Sequence, residues 1–85
     1  MTEPPITFAN LDQFLRRLGF LPRSIPHGIG YHHAATDLIL LLPVHAEGDV
    51  VGPRYLAIVR KYLDEYGLVR RADFDRRVRS HAVAV

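Results

Sequence analysis

The sequence predicts an α+β fold in which two helices pack on one face of a three-stranded antiparallel sheet, in the order α-β-β-β-α. Residues 10–18 and 53–66 repeat apolar side chains at three- and four-residue steps, as amphipathic helices do. Between them, residues 20–42 hold short apolar runs separated by prolines and glycines, which is typical of strands and turns. The chain has 85 residues, 48% of them hydrophobic, and no cysteine, so we expect one small domain without disulfides and exclude a multidomain enzyme.

The first helix is bounded by recognisable capping residues. Asn10 followed three residues later by Gln13 resembles a capping box, and it predicts that the helix begins at Asn10. Gly19 is suited to end the helix in a left-handed conformation. Arg16 and Arg17 then lie in the last turn, where their charge opposes the helix dipole.

Three strands are predicted over residues 20–24, 29–34 and 37–42. Pro22 cannot donate to a ladder, so the first strand is expected at an edge of the sheet. The third run is apolar without alternation, which predicts a central strand or one covered on both faces. Because the two helices cover one face, the other face is open, and we look for function there.

Charge divides the chain unequally at the end of the second helix. Pro53 suits the first turn of this helix and Gly67 its end. Residues 1–69, the predicted domain, carry six basic and seven acidic residues, a net charge of −1. Residues 70–85 carry five arginines and two aspartates, a net charge of +3, and form a basic tail that is either partly disordered or a short helix. A near-neutral domain attracts nucleic acid only weakly unless its arginines share one face.

Membrane association is not expected. The longest apolar run falls far short of the roughly 20 residues that a membrane span needs. Residues 1–5 lack the pattern of a signal peptide, so the cytoplasm is the expected location.

Several segments, in this order and spacing, carry a resemblance to a known family. They are Leu18-Gly19-Phe20, Gly30-Tyr31-His32-His33, Ile39-Leu40-Leu41-Leu42-Pro43, residues 56–63 and Gly67-Leu68. Together they resemble the HicA-like family of small toxins over about residues 10–68. The resemblance implies a fold like that of double-stranded-RNA-binding domains and an mRNA interferase within a toxin–antitoxin system. RNA and a HicB-type antitoxin are the partners that it implies.

The catalytic motif of that family is Gly-Ser-His in the second strand, and it can be matched in two registers. In the first register, Gly30-Tyr31-His32 keeps the spacing, with tyrosine in place of serine, and His32 is the catalytic residue. In the second, Tyr31-His32-His33 matches the aromatic-x-His that follows the motif. The catalytic position then moves to about Gly28, where the nearest histidine is His27.

Strand alternation separates the roles of the neighbouring histidines. Metal-independent RNA cleavage needs a general base and a general acid, and histidine titrates near neutrality. If Tyr31 faces the helices, His32 lies on the open face, and His33 is a packed residue with a hydrogen-bond partner. Neighbouring strand residues cannot easily share one ion, so no metal or other cofactor is expected. Asp37 and His45 are possible partners for a histidine on the sheet, the alternative being ordinary turn and loop residues.

Basic residues along the two helices and at the start of the basic tail could contact phosphate, or could simply be solvated. These candidate RNA contacts are Arg16, Arg17, Arg54, Arg60, Lys61, Arg70 and Arg71. Tyr55, Tyr62 and Tyr66 lie at helical spacing and are assigned to the core and its border rather than to base stacking. A second functional hypothesis is a non-catalytic RNA- or protein-binding module on the same fold. The edge strand at residues 20–24 could pair with its copy in a homodimer.

Overall fold

The computed structural model of the chain describes residues 5–43, 46 and 48–83. Its elements follow the predicted order, with a further short turn and helix after the second helix. They are α1 (Phe8–Arg17), β1 (Phe20–Ile25), β2 (Gly28–His33), β3 (Leu38–Pro43), α2 (Pro53–Glu65), a 3-10 turn (Arg71–Asp73) and α3 (Phe74–Val83). The predicted α+β class, with a three-stranded antiparallel sheet, is confirmed.

Helix α1 begins earlier than predicted. Its N-cap is Thr7, whose hydroxyl accepts from the Asn10 NH at 3.2 Å, while the Asn10 side-chain oxygen accepts from the Thr7 NH at 3.1 Å. The prediction that Asn10 is the N-cap is therefore wrong. Asn10 is the third residue of the helix, and its side chain completes the capping box with Thr7. Thr7 also bridges Val50, which holds the chain in place before the helix starts. Gly19 follows the helix with φ +103°, as predicted.

The sheet has the order β1-β2-β3, with both pairs antiparallel. β1 is an edge strand, as Pro22 predicts. β3 is the other edge strand and alternates between buried and exposed residues, so the prediction of a central or doubly covered strand is wrong. Ile39 and Leu41 are apolar but exposed, and for this reason the run lacks alternation in hydrophobicity while having it in burial.

The core lies between the sheet and the helices. Side chains from one face of every strand meet the buried faces of the helices. The largest fully buried ones are Tyr31, Phe14, Phe20, Phe74, Ile6, Leu11, Leu15, Leu63, Val59 and Val78. The opposite face of the sheet is left open, as predicted.

The segment after residue 69 contributes to this core. Phe74 and Val78 of α3 are fully buried, and the Phe74 ring stands edge-on to Phe14 with centroids 6.0 Å apart and planes at 85°. The sequence alone does not decide whether this segment is partly disordered or a short helix. The structure gives it a 3-10 turn and a helix that packs on α1. Across the described part of the chain, no helix has the length and apolar character needed to cross a membrane.

Candidate functional site on the open face of the sheet

The open face of the sheet is largely apolar. Strand alternation turns six side chains toward it: Leu21, Arg23, Ile25, His32, Ile39 and Leu41. Leu21 is 69% exposed, Ile39 58% and Leu41 64%. The register places Leu21, His32 and Ile39 side by side in one row across the three strands. Large apolar side chains therefore lie on both sides of His32, on a surface that no described element covers.

His32 lies on this face, as predicted, and contacts Asp37. The Nε2 of His32 is 2.8 Å from Oδ1 of Asp37, and the two side chains are 47% and 89% exposed. A carboxylate can only accept, so Nε2–H donates and the Nδ1 of a neutral ring is left as a proton acceptor. Asp37 reaches the ring from the β2–β3 turn with φ 60°, a left-handed conformation that aspartate tolerates. His45, the other candidate partner, is outside the described residues.

His27 is far from His32. It is exposed in the turn between β1 and β2 and makes no hydrogen bond or ion pair with the rest of the described chain. His27 and His32 are five positions apart along the chain, and at about 3.4 Å per residue an extended chain spans roughly 17 Å over that length. The structure therefore does not bring His27 and His32 into one site, and they cannot serve one chain as an acid–base pair.

His33 points the other way and has a structural role, as predicted. It is buried, with Nδ1 2.8 Å from the Thr36 hydroxyl and Nε2 donating to the Leu18 carbonyl at 3.1 Å. These contacts tie the end of β2 to the C-terminus of α1. Within the described residues, no group of three or more possible ligands is placed to hold a metal ion.

The candidate RNA contacts belong to the helical layer rather than to the open face. Three of the predicted contacts are in ion pairs: Arg16 with Asp12 at 2.9 Å, Arg60 with Asp75 at 3.7 Å, and Arg71 with Asp64 at 3.8 Å. Arg17, Arg54, Lys61 and Arg70 are exposed. The structure does not gather these side chains around His32.

Arg23 on β1 is a residue that sequence reasoning missed. It is exposed on the open face, opposite Gly30 of β2 in the register. Of the lysines and arginines described, it is the only one on this face. The signal was available, because alternation from the buried Phe20 places residues 21, 23 and 25 on the other side of the strand.

The tyrosines divide between the core and the surface. Tyr31 is buried, its hydroxyl donates to Asp12 at 2.6 Å, and burial together with this carboxylate raises the pKa of Tyr31 well above its usual value. Tyr55 packs against the core, in line with its assignment to the core border. Tyr62 on α2 and Tyr66 at its C-cap are exposed, so the assignment of these two rings to the core and its border is wrong. None of these rings faces the open side of the sheet.

Comparison of the chain with protein-family models, with curated proteins and with solved structures finds no match, so its function is inferred from the geometry of the open face.

Proposed function

We propose that this chain is a non-catalytic binding module that holds a protein partner on the open face of its sheet. The observation that supports this is the exposure of Leu21, Ile39 and Leu41 on one face of the sheet, on either side of His32 and Gly30. Contiguous apolar patches are uncommon on monomers and mark interaction surfaces. A partner that covers these side chains gains the hydrophobic free energy of the area removed from water.

The charges on this face favour a protein over RNA. Nucleic-acid binding draws on several phosphate contacts, whereas Arg23 is the only lysine or arginine described here. The Asp37 carboxylate is 89% exposed and repels phosphate. The partner segment that fits is therefore apolar, with a carboxylate placed to pair with Arg23.

Site-specific photo-cross-linking in the source cells tests this function. A photoreactive residue at position 41 should give a defined adduct, while the same residue at Arg54, exposed on α2, should not. The cross-linked protein is then identified, purified and titrated against the chain. Leu41→Lys should weaken binding by at least about tenfold, and the affinity should change little between low and high salt.

Two results would overturn the proposal. One is equal cross-linking at positions 41 and 54. The other is a complex whose affinity ignores Leu41→Lys but falls steeply with salt, since that dependence belongs to phosphate contacts made by the helical cations. Arg54→Ala is the matched control and should leave the affinity of a face-bound partner unchanged.

The contact between His32 and Asp37 favours a second candidate, RNA cleavage by a toxin of the HicA-like type. A histidine oriented by a carboxylate is a competent general base, so His32 would take the 2′-hydroxyl proton of RNA. Cleavage also needs a general acid for the leaving oxygen, and this second group would have to be supplied when RNA binds the chain. A HicB-type antitoxin would then be the protein that covers the open face.

Expression of the chain with transcript analysis tests this candidate. Growth arrest and transcript loss should follow expression, and His32→Ala should lower the cleavage rate by about 100-fold or more. His27→Ala, in the distant turn, is the matched control. Cleavage that survives His27→Ala and His32→Ala together does not use these residues.

A further inference from the structure

The outer edge of β3 has no pairing partner in the described structure. β3 runs over Leu38–Pro43 and pairs with β2 on one side only. In an antiparallel ladder, alternate residues direct their NH and CO groups away from the neighbouring strand. The Leu38 NH donates to Thr36 at 3.4 Å, but no described backbone group bonds to the outer edge of the strand.

The two edges of the sheet differ in how they are protected. β1 contains Pro22, which removes a donor, and the charged Arg23. β3 has the sequence LILLLP, without a charge and with its proline at the last position. Folded proteins usually protect exposed edges with lysine, proline or a bulge, because an unprotected edge pairs with other strands.

We infer that β3 pairs with β3 of a second copy of this chain, antiparallel about a two-fold axis, so that two sheets form one of six strands. A second copy supplies an edge of the same length and places no charge opposite another, since residues 38–43 are all uncharged. This pairing is isologous and closes on itself. The outer edges of the joined sheet are then two β1 strands, where Pro22 hinders further addition.

The pairing also accounts for part of the exposed apolar surface. Residues on the same face of two antiparallel strands lie opposite one another, so Ile39 and Leu41 of one copy meet those of the other. These side chains are 58% and 64% exposed in the single chain. Leu21, at the far edge, stays away from the two-fold axis. Ile39 and Leu41 thus belong to both proposed surfaces, and Leu21 belongs to the proposed partner surface alone, so Leu21 is the residue that distinguishes the two proposals.

Sedimentation velocity of the full chain over a concentration series tests the inference, with Leu41→Lys and Leu21→Lys as a matched pair. Both leucines are exposed on the same face, at opposite edges. The chain should form a reversible dimer. Leu41→Lys should weaken it by at least about tenfold, because lysines of the two copies approach one another, and Leu21→Lys should change its Kd by less than about twofold.

Hydrogen exchange gives a second measurement that does not depend on the variants. Outward amides of β3 should become protected as the concentration rises, while those of β1 should not. A chain that is monomeric up to about 1 mM, a concentration that detects even the weakest specific pairing, overturns the inference. So does a dimer that both lysine variants weaken equally, since the faces then pair rather than the edges. Leu21→Lys also distinguishes this inference from the proposed function. A variant that still forms the dimer but no longer binds the partner would show that the two surfaces are different.

Discussion

Replacing Phe74 by alanine should strongly destabilise the domain, because the segment after residue 69 is part of the core. Phe74 is fully buried, so its truncation removes the transfer free energy of the ring and leaves a cavity beside Phe14, at a cost of about 3–5 kcal/mol. The edge-on contact between the two rings is expected to contribute about 0.5–1.5 kcal/mol of this. For 85 residues at about 0.05–0.15 kcal/mol each, the free energy of unfolding is about 4–13 kcal/mol. The substitution should therefore remove a large share of it.

Urea denaturation followed by circular dichroism measures this loss. The matched control is Arg76→Ala on the same helix, whose side chain is 72% exposed and pairs with Asp73 at 2.9 Å. A surface ion pair of this kind should be worth less than about 1 kcal/mol. If Phe74→Ala also costs less than about 1 kcal/mol, far below the range for buried aromatics, α3 does not pack on α1 in solution and the reasoning fails.

Three further substitutions test other parts of the fold. Thr7→Ala removes the capping box of α1 and should cost about 1 kcal/mol in urea denaturation, whereas no change would mean that the helix does not begin there. Gly28→Ala would drive a Cβ into the Leu42 carbonyl oxygen of the neighbouring strand, so we expect a loss of about 1–3 kcal/mol, and a neutral result would contradict this close approach. Because burial and Asp12 raise the pKa of Tyr31, its hydroxyl stays protonated in the folded chain when it ionises in the unfolded one. Stability should therefore fall above pH ~10 by up to about 1.4 kcal/mol per pH unit. Tyr31→Phe should reduce this slope in denaturation curves collected from about pH 9 to about pH 11, and an equal slope in both proteins would refute the assignment.

The fold could be predicted from the sequence where local signals are strong. Three local signals predict the elements and their faces. They are the spacing of apolar side chains in both helices, the prolines and glycines between the strands, and the alternation around Tyr31. They predict His32 on the open face and His33 in a packed position, as the structure has them. Local periodicity determines these features, because it decides which side of an element faces the core.

The features that could not be predicted depend on contacts distant in sequence. Thr7 forms an isolated bridge with Val50, and nothing near Asn10 in the sequence shows that contact. Arg60 pairs with Asp75 because α3 packs into the core, and the sequence alone does not decide whether that segment is ordered. Ile39 has the hydrophobicity of a core residue and is exposed, since composition does not distinguish a core from an interaction surface.

The left-handed backbone of Asp37 restricts which residues can replace it. Glycine and asparagine adopt this conformation readily, but neither carries a carboxylate, while glutamate keeps the charge and tolerates the conformation poorly. Aspartate therefore satisfies two requirements together, the left-handed turn and a carboxylate for His32, and a saturation library at this position would separate them. Glycine would keep the turn and release the imidazole of His32 from its acceptor, asparagine would keep the turn and an uncharged acceptor, and glutamate would keep the anion and strain the hairpin.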